Sequence, residues 1–169
     1  MKEIILNHQQ IQHKITRIAY QIYEANVKET QICVVGVAPN GFIFAEKLCA
    51  TLREISELDV KLYKIEIDKS NPLASLKLDA SVADFEEKSI IIADDVLNTG
   101  STLIYAVKHF LDIPLKKIQT TVLVNRNHKK YPIKADFKGI SLSTSSHNNV
   151  QVVFDTTQNS PSEDYVYLE

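Results

Sequence analysis

The run Ser89-Ile90-Ile91-Ile92-Ala93 is followed at once by Asp94-Asp95. An apolar stretch without polar alternation reads as a strand covered on both faces, as in a parallel sheet. Parallel strands need long crossover connections, usually helices, so this run alone points to α/β layering. The rest of the sequence agrees. Gln31-Ile32-Cys33-Val34-Val35 and Ile118 to Val124 are further buried-strand patterns, and Leu62, Tyr63, Ile65 and Ile67 mark a strand over Val60 to Ile67. Helical spacing lies between them. Ala45, Leu48, Leu52 and Ile55 share a face from Phe42 to Ile55, and Leu103, Ala106, Val107 and Phe110 share one from Thr102 to Leu111, which Pro114 stops. An earlier helix carries Ile11, Ile15, Ile18 and Ile22 on one face, with Asn7 and Gln10 as its capping box and Asn26 as its stop. Leu73 to Leu78 is expected to pair back as a hairpin after the turn residues Asp68 to Pro72. Ala80 to Lys88 and Asn125 to Lys130 read as polar loops, and the last strands as Val150 to Phe154 and Tyr165 to Leu168. The expectation is one domain, 1–169, with an open, mostly parallel sheet flanked by helices. A small hood from the terminal segments, chiefly the chain after Tyr131, sits beside it.

Of the 169 residues 44% are hydrophobic and 24% charged, with a net charge of -2, which excludes a disordered chain. No apolar run reaches the roughly 18–20 residues of a membrane span. The start, Met1-Lys2-Glu3-Ile4, places an acid where a signal peptide would begin its apolar core, so a cytoplasmic location is expected. Cys33 and Cys49 stand among apolar residues and read as reduced core thiols. Glycine is scarce, with four residues (Gly36, Gly41, Gly100, Gly139), which suggests that each is kept for backbone geometry.

In open α/β sheets ligands bind beyond the carboxyl ends of the strands. Three segments fall there: Gly36 to Gly41, Asp94 to Thr102, and Asn125 to Lys130. In the second, a strand delivers two carboxylates, and the turn Asn98-Thr99-Gly100-Ser101-Thr102 opens a helix. A helix start offers unpaired N–H groups and a positive dipole end, which suit a phosphate. Asp94 and Asp95 can accept hydrogen bonds from vicinal hydroxyls, or hold Mg²⁺ directly or through water. The implied ligand is a phosphorylated sugar. Gly36 to Gly41 has Walker A glycine spacing, but Phe42 and Ile43 stand where Lys-Ser/Thr is required, so a nucleotidase of that kind is excluded. No Gly-x-Gly-x-x-Gly is present, which argues against a dinucleotide oxidoreductase.

The segment Ile90 to Thr102 resembles the signature of type I phosphoribosyltransferases, and the likeness covers most of the chain. Thr16-Arg17-Ile18-Ala19, Gly36-Val37 with Gly41, Leu123 to His128, and Tyr131 to Gly139 resemble most the pyrimidine-operon attenuator/uracil phosphoribosyltransferase family. The resemblance implies that fold, and as partners phosphoribosyl pyrophosphate and a nucleobase. Asp94 and Asp95 would contact the ribose hydroxyls, and Asn98, Thr99, Gly100, Ser101 and Thr102 would cradle the 5′-phosphate. Ala38, Pro39, Asn40 and Gly41 would hold pyrophosphate. Lys69, on a loop after Ile67, would supply a cation. Arg126, Lys134 and Ala135 would lie in the base-binding hood. Mg²⁺ would ride on the pyrophosphate, and a homodimer or higher homo-oligomer is expected. Uracil is favoured by the hood, while Lys134-Ala135-Asp136-Phe137 also resembles the purine enzymes.

The chain departs from that family at several places. Asn40, after Pro39, stands where relatives carry a basic residue; Ser101 replaces another, Asn98 replaces an apolar residue, and Asn125 stands for an aspartate. Relatives often hold a non-proline cis peptide in the pyrophosphate loop. A cis Ala38-Pro39 bond would cost about 0.5–1 kcal/mol against about 3–4 for a non-proline bond. RNA binding by the attenuator relatives makes an RNA-binding regulator the alternative function, and a purine-base transferase or a non-catalytic phosphoribosyl pyrophosphate binder are others. The acidic balance, with three arginines and sixteen lysines, and Gln12 and His13 where those relatives are arginine-rich, favour the plain enzyme. The five histidines show no metal-ligand spacing, and Tyr20 and Tyr23 read as packing or a dimer face.

Overall fold

The computed structural model describes residues 2–157 and 163–169; Met1 of the N-terminal motif lies outside them. Its main sheet has six strands in the order β4-β3-β2-β5-β6-β7. They are β2 (Gln31–Val37), β3 (Asp59–Glu66), β4 (Lys77–Leu78), β5 (Ser89–Leu97), β6 (Lys117–Arg126) and β7 (Phe137–Leu142). All neighbours run parallel except β4, which turns back on β3 through Ile65↔Leu78 and Glu66↔Lys77 as the expected hairpin.

Alternation along the strands divides the core into two layers. Ile32, Val34, Ile91 and Ala93 face α1 (His8–Ala25) and α2 (Asn40–Ile55). Cys33, Val35, Ile90 and Ile92 face α3 (Ser101–Phe110) on the other side. Asn7 caps α1 by accepting from the Gln10 N–H over 2.9 Å, and the Gln10 side chain returns the bond. Cys33 and Cys49 are buried free thiols, pushed up by burial to about 11 and about 12. Tyr20 is exposed, while Tyr23 packs on the first layer.

Several expectations are corrected. The acids do not end their strand: β5 continues to Leu97, with Asp94 opposite Val122 and Leu97 opposite Asn125. Likewise Asn125 and Arg126 close β6 rather than open a loop. The chain after Tyr131 does not all go to the hood, because Phe137–Leu142 joins the main sheet as its parallel edge. Nor is 80–88 wholly polar surface. After a single 3-10 turn, Val82–Asp84, Phe85 is fully buried, in aromatic contact with Tyr63 at 4.9 Å and Phe110 at 5.0 Å between ring centroids.

The hood is a separate antiparallel sheet, β1-β9-β8, of β1 (Glu3–Leu6), β9 (Tyr165–Leu168) and β8 (Val150–Val153). Leu6, Val150, Val152 and Val166 bury it against the α1/α2 layer. Asp164, whose side chain is wholly buried, fastens it. Oδ2 lies 3.3 Å from Lys47 Nζ and 3.4 Å from His8 Nδ1, and accepts from Gln12 Nε2 at 3.2 Å, while Oδ1 accepts the Asp155 N–H at 3.0 Å. Among the described residues no helix is long and apolar enough to cross a membrane.

Candidate active site

The carboxyl end of β5, the middle of β6, the start of α3 and the loop after β3 meet around a cavity of about 250 Å³. Asp94, Val122, Lys69 and the stretch 96–103 line it. β5 holds Asp94 and Asp95 inside the ladder, so both carboxyls are buried and fixed by backbone pairing. The Asp94 Oδ1 accepts the Asp95 N–H at 2.9 Å. Lys69 Nζ reaches in from its exposed loop, 3.5 Å from Asp94 Oδ1 and 3.9 Å from Asp95 Oδ1. Asp95 turns toward the hood, where Asn40 Nδ2 donates to its Oδ2 at 3.3 Å and to the Val152 carbonyl at 3.0 Å.

The turn before α3 is shaped by Gly100 and by the segment after β6. Gly100 has φ 88°, in the left-handed region that favours glycine, and makes no side-chain cap. A Cβ there would fall 2.5 Å from Ile133 Cγ2. The segment after β6 backs the turn, with Lys130 N and Tyr131 N both donating to the Thr99 carbonyl at 2.8 and 3.1 Å. The Thr99 hydroxyl accepts the Ser101 N–H at 3.2 Å. On the other side of the acids, Gly41 lets α2 approach closely: a Cβ would sit 2.8 Å from Asp94 Oδ1 and 2.9 Å from Asp94 Cα.

The expected residues are not all brought together. Asp94, Lys69 and 98–102 share the cavity, and Asp95 and Asn40 flank it. Ala38 and Pro39, joined by a cis peptide bond, line a separate opening of about 370 Å³ with Glu66, Asp68 and Lys77. None of the three base-binding candidates is among the residues that line the 250 Å³ cavity. Arg126 is buried and its guanidinium bonds to Asn98, Thr144, Ser145 and Asn148, because β6 extends to include it and holds it in the sheet instead of the loop in which it was expected. Lys134 is exposed, its carbonyl accepting from Thr120 Oγ1 at 2.6 Å, and Ala135 packs on the α3 layer. Thr144, Asn148 and the Val152 carbonyl are contacts that residue type alone does not signal.

Burial raises the Asp94 carboxyl above its ordinary 3.8, and the neighbouring Asp95 carboxylate raises it further, against the opposing Lys69. A raised native pKa means that the folded protein holds this proton more tightly than the unfolded chain. The stability so contributed is fully present below pH 3.8 and is lost as pH rises through the native value. Without ligand or divalent cation, Asp94→Asn is expected to raise the neutral-pH Tm and to flatten its fall with rising pH. Parallel melts of both proteins across pH 4–8 check this; equal slopes would refute it.

Comparison with known proteins gives the family. The family model described as the phosphoribosyl transferase domain matches residues 1–157. The bifunctional protein PyrR of Bacillus cereus (strain B4264) is 32% identical over 161 residues, covering 89% of each chain, and that of Bacillus anthracis (strain A0248) is equally similar. Among solved structures, the hypoxanthine-guanine phosphoribosyltransferase of Bacillus anthracis superposes with TM-score 0.73 at 21% identity, covering 98% of this chain and 99% of that one. The hypoxanthine phosphoribosyltransferase of Trypanosoma cruzi gives 0.77 at 18% identity, covering 99% and 97%. With its mostly parallel sheet and a match to that family model over residues 1–157, the chain belongs to the phosphoribosyltransferase family.

Proposed function

We propose that the protein transfers the phosphoribosyl group of phosphoribosyl pyrophosphate to uracil, giving a nucleotide and pyrophosphate. The observation that carries this is the joint placement of Asp94, Lys69 and the open α3 N-terminus on one cavity, with Asp95 beside it. In the reaction the C1′–O bond to pyrophosphate breaks and a C1′–N bond to the base forms on the opposite face, with the base N–H proton passing to solvent. Positive charge develops on the ribose. The chain's part is to fix the ring by its hydroxyls on Asp94 and Asp95 and to anchor the 5′-phosphate on 98–102, leaving C1′ aligned with both groups.

Two adjacent carboxylates are hard oxygen donors that suit Mg²⁺. Among the described residues no group of three or more His, Cys, Asp or Glu converges on a metal position. A Mg²⁺ held by Asp94 and Asp95 would therefore share its ligands with substrate oxygens and water. When bound it would offset the leaving group's charge, which Asn40 does not. A cytoplasmic enzyme acting as a dimer or higher oligomer in nucleotide salvage completes the proposal.

The test is pyrophosphate release with phosphoribosyl pyrophosphate, Mg²⁺ and a panel of bases. Uracil is the base expected to react. Reaction with hypoxanthine or guanine alone would move the protein to the purine class, and no reaction with any base would overturn the transferase reading. The resemblance to the attenuator family, whose PyrR relatives are named bifunctional, motivates a second reading, an RNA-binding regulator of pyrimidine genes. A gel shift on pyrimidine-operon leader RNA, with and without a pyrimidine nucleotide, separates the two.

A further inference from the structure

Arg126 is buried, yet among the described residues it enters no ion pair. Its donors meet neutral acceptors only. Nη1 donates to Asn98 Oδ1 at 2.8 Å, and Nε and Nη2 donate to Thr144 Oγ1 at 3.1 and 2.9 Å. Nη2 also reaches the carbonyls of Ser145 and Asn148. A guanidinium cannot shed its proton, and a buried cation without a counter-charge carries a large desolvation cost. An anion from outside the chain would offset it.

The way in for that anion is Asn98. Arginine only donates, so the Asn98 atom that it meets is the carbonyl oxygen. The amide NH₂ is left without a hydrogen bond to any described residue, on an exposed side chain that lines the cavity. The turn itself brings no cation, since Asn98, Thr99, Gly100, Ser101 and Thr102 are all neutral. Lys69, the one cation lining that cavity among the described residues, lies against Asp94.

We infer that Arg126 supplies the positive charge of the phosphate turn from one residue away, holding Asn98 as an N–H donor toward a bound phosphomonoester. It is a positioning residue, acting through Asn98 and not by touching the ligand. The same guanidinium braces 144–148, so phosphate occupancy and the order of that segment are coupled. This rests on the reading of 98–102 as the phosphate site.

The test uses the full chain, with ribose 5-phosphate titrated by calorimetry and the ligand-free Tm measured separately. Arg126→Met is expected to weaken ribose 5-phosphate at least tenfold while uracil affinity is retained, and Arg126→Lys to recover most of the loss. Asn98→Asp guards against misfolding. It gives Arg126 a carboxylate, so the ligand-free Tm should hold or rise while ribose 5-phosphate affinity falls at least tenfold. Unchanged sugar-phosphate affinity in folded Arg126→Met, or a lowered Tm in Asn98→Asp, would overturn the inference and leave Arg126 a structural brace. Failure of the unsubstituted chain to bind ribose 5-phosphate would overturn the phosphate-site reading and this inference together. Binding by that chain with no effect of the substitutions removes the inference alone.

Discussion

Replacing Asp95 by alanine is expected to lower turnover by about 10²- to 10⁴-fold while leaving the protein folded. A hydrogen bond to a charged group contributes about 1.5–3 kcal/mol, so losing two ribose hydroxyl contacts costs about 3–6 kcal/mol, at about 1.4 kcal/mol per tenfold in rate. The fold should tolerate the change. Asn40 keeps its 3.0 Å bond to the Val152 carbonyl, and Asp94 keeps Lys69 at 3.5 Å. Pyrophosphate release under saturating substrate, set beside a thermal melt, gives the answer. Undiminished turnover would mean that the ribose site lies elsewhere.

Phe85→Ala should have the opposite profile, a large loss of stability with the chemistry intact at 25 °C. Truncating a fully buried phenylalanine costs about 3–5 kcal/mol in transfer and cavity terms. This ring also loses its contacts with Tyr63 and Phe110. For a chain of this size that corresponds to a Tm lower by roughly 10 °C. Phe85 lies outside the 250 Å³ cavity, so binding measured well below the new Tm should match the parent protein. A shift under about 2 °C would mean that the site collapses onto the space left by the ring.

These two residues also show what could be read from the sequence. Asp95 was legible because a buried apolar run followed by two acids and a glycine turn has a chemical meaning that needs no tertiary structure. Phe85 was hidden, since a single aromatic among Asp84, Glu86, Glu87 and Lys88 carries no period, and its burial depends on the α3 layer folding over it. The central strands and three helices declared themselves through long apolar patterns. β1 and β7 did not: β1 is a short strand whose partner lies at the other end of the chain, and β7 is an edge strand with a mixed pattern. Arg126 shows a different limit. Its proximity to the site could be inferred, but the direction of its side chain is set by where β6 stops, two residues beyond its apolar run. Likewise the grip of Asn40 on Val152 involves a backbone carbonyl, which no residue identity announces.

The pairing of β1 with β9, Glu3 opposite Leu168, has a consequence for biosynthesis. During translation the phosphate turn and the acid pair leave the ribosome well before the strand that β1 needs as its partner. β1 is therefore made long before β9, the strand it pairs with. Until Tyr165–Leu168 arrives to join β8 as well, the strand that presents Val152 to Asn40 has no antiparallel neighbour. The clasp over Asp95 can therefore gain its β9 support only once the chain through Tyr165–Leu168 has been made.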